Sequence, residues 1–326
     1  MDVFNFEFYK IVKSNRFKIV ILLFIVVSTI NICSERISFK DYGKLNKVYY
    51  KSYYNNIKDI KNELIEIEKD TYIKTKYYQT YEQDKAFNKY HLEFYKNHKP
   101  VKLKKDFSQG LARTIYMHDY LYIILLICCD VIGQDKKKNI TSIQCATKTS
   151  RSKMYFCKFI SLVSAVTIVY IINFVWTFLL SGLLLGFSSL TSPIQTIRGL
   201  DFSILNINAR QYVILRTIIG WVALVFGCLI YMFISTIFEN PLICYVIGVL
   251  TVTFDNVFYY MFNPSVLSIY IKYFVISVYF FLRYNQFCKG FYINLYNLKG
   301  LFLALTIQFI FIYWLGFKIY KKKSSY

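Results

Sequence analysis

The side chains that could carry chemistry are few and poorly grouped. The three histidines, His91, His98 and His118, are scattered between residue 91 and the start of an apolar run. No HExxH, no paired Cys/His and no GxxxxGK[ST] phosphate loop is present. Asp119 and Asp130 are eleven residues apart, about three helical turns, and so could share a helix face. A proton relay would need both carboxylates inside a bundle. The simpler expectation puts Asp119 at one interface and Asp130 at the other. Asp255 and Arg216 likewise fall near the ends of apolar runs, where solvation is easy. Of the eight cysteines, Cys128, Cys129, Cys228 and Cys244 lie in apolar runs, Cys145 and Cys157 in or beside a basic stretch, and Cys33 and Cys288 near run ends. No pair has CxxC spacing, so they read as small apolar packing residues. These residues carry no enzyme constellation, and the chain itself is expected to hold no cofactor and no metal.

The apolar runs say more. The chain has 326 residues, 56% hydrophobic and 20% aromatic, and several runs reach membrane-spanning length. The net charge is +21, from 40 Lys+Arg against 19 Asp+Glu. Its basic residues cluster beside the apolar runs, which points to topology signals and anionic lipid rather than nucleic acid. Lys10, Lys13, Arg16 and Lys18 precede a run that resembles a signal peptide but lacks a small-x-small cleavage site, so it reads as an uncleaved first span.

An all-α polytopic membrane protein with six transmembrane helices follows. Residues 1–16 alternate aromatic and charged side chains, which suits an interfacial helix before span one at 17–33. The polar insert 34–113 contains Ile57, Ile60, Leu64 and Ile67 at helical spacing, then Tyr77, Tyr78, Tyr81, Phe87, Tyr90 and Phe94. It is expected to be a helical extracytoplasmic domain between spans one and two. The transmembrane domain then occupies 114–326, with span two at 115–132, a basic hairpin at 134–155, and span three at 156–187. Spans four (212–237) and five (to 262) flank Glu239-Asn240-Pro241, with Asn240 as helix cap and Pro241 at the first helical position. Residues 264–282 hold Lys272 midway and Arg283 at the end. If they crossed, the tail lysines 318, 321, 322 and 323 would lie on the side opposite to the other basic clusters. They are therefore expected to form an outer re-entrant or interfacial hairpin before span six at 301–317. The N-terminus, the 134–155 hairpin and the C-terminus then share the cytoplasmic side. Tyr122, Tyr259 and Tyr260 are candidates to line a substrate path, set against the aromatic belt that accounts for most of the 31 Tyr and 30 Phe.

This order of elements resembles the permease subunit of a bacterial type-2 ABC exporter. The local match is Ile132-Gly133-Gln134-Asp135-Lys136-Lys137-Lys138-Asn139-Ile140-Thr141, then Thr149-Ser150-Arg151-Ser152-Lys153 and Lys158. It is similar to the family's acidic residue, basic pair, Gly-Thr and later Ser-Arg followed by Lys. Phe238-Glu239-Asn240-Pro241-Leu242 resembles the family's turn before span five. The chain departs at Asp135, where the family commonly has Glu, at Ile140, where it has Gly, and at Thr149, where Pro is frequent. The resemblance implies a coupling helix in the hairpin, with Asp135, Lys136, Thr141, Arg151 and Lys153 meeting a cytoplasmic ATP-binding subunit that supplies ATP and Mg. It also implies a second permease copy or a related permease, and location in the bacterial cytoplasmic membrane. An amphipathic peptide, antibiotic or lipid-like compound would be exported. The alternative reading is a membrane sensor or immunity protein that binds an extracellular ligand through 34–113.

Overall fold

The computed structural model describes residues 3–38, 119–129, 131, 151–187, 190–197, 207–238, 240–261 and 298–323, with isolated positions between 54 and 111. Seven α-helices carry these segments: α1 (Val3–Val12), α2 (Asn15–Ser38), α3 (Asp119–Cys128), α4 (Arg151–Leu185), α5 (Ala209–Ile237), α6 (Pro241–Met261) and α7 (Leu298–Lys323). Among the described residues there is no strand beyond an isolated antiparallel bridge, Pro193 with Asn208. Among the described residues, three helical segments are apolar and long enough to cross a membrane: Asn15–Ser34, Arg151–Leu185 and Ala209–Ile237. The described part of α3 is 10 residues, shorter than a span.

Sequence and structure agree at the helix boundaries where side chains can cap. The Asn240 carboxamide oxygen accepts the Leu242 N–H at 3.0 Å, and α6 begins at Pro241. Ser14 separates α1 from α2: its hydroxyl donates to the Ile11 carbonyl and accepts the Phe17 N–H, satisfying one orphan donor of the new helix. At the start of α5, Asn208 and Gln211 form a reciprocal capping box. Gly186, at φ +83°, follows the last residue of α4 and occupies the left-handed region that ends a helix without a Cβ penalty.

α4 is the axis of the bundle. It packs against α1, α2, α5 and α7, while α3 fills the space between α2, α5 and α6. Its 35 residues extend about 52 Å, well beyond the ~30 Å hydrocarbon layer. Helix begins at Arg151, earlier than the apolar run at 156, so its first turn, with Arg151 and Lys153, forms a polar foot ahead of that run. α2 likewise continues to Ser38, past the end of its apolar run at residue 33.

Contacts along α4 fix the direction of its neighbours. Tyr155 near its start meets Tyr313, Phe317 and Tyr320 near the end of α7, so α7 runs antiparallel. Tyr170 and Thr167 pair with Thr217 and Trp221, so α5 is antiparallel as well. At the far end Phe107 packs edge-on against Phe178 and tilts against Phe187. The described end of the 34–113 insert thus lies at the end of α4 opposite its basic foot. The described positions between 54 and 93 are helical, whereas residues 134–150 and 264–282 lie outside the described residues.

Candidate functional site

Among the described residues, two polar centres occur inside this apolar frame, one at the foot of α4 and one midway along it. At the foot, α1 turns Phe4, Glu7, Phe8 and Ile11 inward, with the Phe4 and Phe8 rings stacked at 5.9 Å. Glu7 is fully buried. One carboxylate oxygen takes the Lys158 ammonium at 2.8 Å, and the other takes Lys10 at 2.6 Å. Lys158 is itself fully buried, two turns inside α4. The Ser161 hydroxyl donates to the Phe4 carbonyl at 3.2 Å, a second polar tie between the same helices.

Burial alone would raise the Glu7 pKa, but the charges and hydrogen bonds of Lys158 and Lys10 outweigh it and hold the carboxyl below its ordinary value. The pair is therefore charged at neutral pH. Such a pair contributes little net stability over an apolar substitute, but removing one partner strands the other in a low dielectric. Its effect is to fix where α1 docks.

α7 braces the other side of the foot. Tyr155 is encircled by Tyr313, Phe317 and Tyr320 at centroid distances of 5.3–6.0 Å. A Cβ at Gly316 would lie 2.3 Å from the Tyr155 hydroxyl oxygen, so glycine is what lets α7 approach. Arg151 points its guanidinium at the Lys321 carbonyl at 3.5 Å, and the Tyr320 hydroxyl lies 3.5 Å from the Met154 sulfur.

The second centre is neutral. The Asn173 amide donates to the Tyr120 hydroxyl at 3.1 Å, the Tyr120 and Ser28 hydroxyls hydrogen-bond at 2.8 Å, and the Ser28 hydroxyl donates to the Asn173 carbonyl oxygen. The three side chains form a closed ring joining α2, α3 and α4, all fully buried. Phe24 stacks on Tyr120 at 4.2 Å, and Trp176 donates to Thr29 one turn further along. In hydrocarbon a polar side chain must find a partner within the bundle, and this ring supplies all three.

The expected site residues are placed unevenly. Arg151 and Lys153 lie on the first turn of α4, at the foot. Asp135, Lys136 and Thr141 lie outside the described residues. Tyr122 is half-buried, its hydroxyl 3.4 Å from that of Thr253, so it ties α3 to α6. Tyr259 and Tyr260 fall on the last turn of α6, beyond Thr253. Asp119 begins α3, and Arg216 meets the Tyr212 hydroxyl at 3.1 Å. Cys128, Cys129, Cys157, Cys228 and Cys244 are buried free thiols. No group of three or more His, Cys, Asp or Glu able to hold a metal occurs among the described residues.

Sequence reasoning had Lys158 only through a motif and treated Glu7 as one charge among several. A signal was available: Glu7 is the one acidic residue between positions 3 and 34, and Lys158 is enclosed by Phe156, Cys157, Phe159 and Ile160. A lone acid on an aromatic helix and a lone base inside an apolar run are natural partners. Comparison of the chain with protein-family models, curated proteins and solved structures found no match.

Proposed function

We propose that this chain is the membrane-spanning permease subunit of an ATP-driven ABC exporter. The observation that carries the reading is the bracing of α4. The chain emerging from the basic hairpin enters one unbroken 35-residue helix, held at its foot by α1 through Glu7–Lys158 and by α7 through the Tyr155 cluster. A lever needs these properties: stiffness, lateral support, and a polar end outside the lipid. Force applied to the hairpin around Asp135, Lys136, Thr141, Arg151 and Lys153 would tilt α4, and α2, α3 and α5 would follow through their contacts with it.

On this reading the chain crosses the cytoplasmic membrane six times, with both termini, the hairpin and the foot on the cytoplasmic side. The excess of Lys and Arg at the foot supports that orientation. The 34–113 insert lies outside, consistent with Phe107 packing at the opposite end of α4. A separate subunit hydrolyses ATP with Mg, and a second permease completes a path for an amphipathic peptide, antibiotic or lipid-like substrate. Tyr122, Tyr259 and Tyr260 border that path.

The test is affinity purification of the tagged full chain from native membranes. An ATP-binding subunit should accompany it, with ATPase activity that falls severalfold in Asp135→Ala and Arg151→Ala. Purification without any ATPase would sink the proposal. Ligand capture by 34–113 under those conditions would favour the sensor or immunity reading instead.

A further inference from the structure

We infer that the foot of the bundle is a binding surface for acidic phospholipid headgroups. Three helix ends meet there. The described segments 3–18, 151–158 and 318–323 hold eleven Lys and Arg (10, 13, 16, 18, 151, 153, 158, 318, 321, 322 and 323) and one acid, Glu7. That carboxylate is fully buried and pairs with Lys158 and Lys10, so the other nine cations lie outside its cluster. Lys13, Arg16 and Lys18 are exposed on one side of α4's foot, and Lys153, Lys318, Lys321 and Lys322 on the rest of it.

The neighbours of these cations select a lipid over an acidic protein. Phe6 and Tyr9 face outward from α1, Phe156 from α4 and Trp314 from α7, each between 43% and 53% exposed. They stand within a turn or two of the charges. Lys318 lies over the Trp314 ring at 4.4 Å and Lys13 over Tyr9 at 5.0 Å. The exposed apolar faces of α4 and α7 thus run directly into the cationic rim. That is the profile of a surface bordering acyl chains on one side and headgroups on the other. Each Lys or Arg beside an anionic leaflet strengthens attachment by about fivefold, so several acting together would select acidic lipid over zwitterionic lipid. The inference stands whether or not the chain is a permease.

Trp314 provides the readout. With Trp176 and Trp221 replaced by Phe, the full chain keeps one tryptophan, at the foot. It is reconstituted in phosphatidylcholine bilayers containing a fixed fraction of either brominated phosphatidylglycerol or brominated phosphatidylcholine. The acidic lipid should quench Trp314 severalfold more strongly, and the preference should shrink in high salt. Lys318→Gln with Lys321→Gln and Lys322→Gln should bring the ratio close to one, and the corresponding Lys→Arg triple should retain it. If the Gln triple fails to fold, Lys13→Gln with Arg16→Gln is read instead and should lower the ratio by a smaller factor. Equal quenching by both lipids in the parent would overturn the inference. So would a preference shared equally by inorganic phosphate in competition, which would mark a free-anion site, or one displaced by an acidic peptide at low concentration, which would mark a protein surface.

Discussion

The foot of α4 and the ring midway along it solve one problem in two ways. Both bring polar groups from distant parts of the chain into a buried place and use them to lock helices together. The foot does so with full charges, Glu7 between Lys158 and Lys10, at the basic end of α4. The ring does so with a hydroxyl, a phenol and a carboxamide, each hydrogen-bonded to the other two. Position explains the choice. A charge deep in hydrocarbon is costly, whereas near the interface water and headgroups lessen the penalty and a paired charge can be held. The charged lock fixes α1 at the basic end of α4, and the neutral lock fixes α2 and α3 further along it.

The sharpest way to break this contrast is Lys158→Met. It leaves the buried Glu7 carboxylate with Lys10 alone and should destabilise the protein by about 3 kcal/mol or more. Thermal unfolding in nanodiscs would measure it. Adding Glu7→Gln should restore most of the loss, because the penalty belongs to the stranded charge and not to the missing bond. If the double variant is as unstable as the single one, the foot is not acting as a charge lock.

Asn173→Leu tests the other centre. The substitution keeps volume but opens the ring at both ends, and a loss of about 1–2 kcal/mol is expected, since interhelical hydrogen bonds in membranes are individually modest. No second-site substitution should rescue it as Glu7→Gln rescues Lys158→Met.

Acidification separates the two centres without mutation. Because the folded Glu7 pKa lies below its reference value of 4.5, the stabilisation from its ionised form is fully present above that value and is lost as pH falls through the folded pKa. The parent should lose α1 docking in that acidic range, as followed by an environment-sensitive label on α1. The Glu7→Gln/Lys158→Met double variant should be flatter across it, and the ring, which contains no carboxylate, should contribute no step. Smallest of all, Asn240→Ala removes a cap from α6, a helix that contributes no residue to either centre. It should cost about 1 kcal/mol and leave the pH response unchanged.

Much of the local structure was legible in the sequence because it depends on neighbours in the chain. Apolar runs gave helices, Asn240-Pro241 gave a helix start, and the aromatic-charged alternation of 1–16 gave an amphipathic helix. The sites were far less legible. Ser28, Tyr120 and Asn173 are separated by 92 and 53 residues, and each is unremarked in its own run. The 3.4 Å approach of the Tyr122 hydroxyl to Thr253 on α6 likewise depends on helix packing and has no local signal.

By itself the sequence determined the helical composition, the membrane-length segments and the concentration of positive charge beside them. These follow from hydrophobic transfer and backbone hydrogen bonding, which act residue by residue. Only the tertiary structure decided that one acid on α1 meets one base on α4, and that three neutral side chains close a ring. Partner choice between distant residues depends on which helix faces meet, and that is settled by packing of the whole bundle, not by any local stretch of chain.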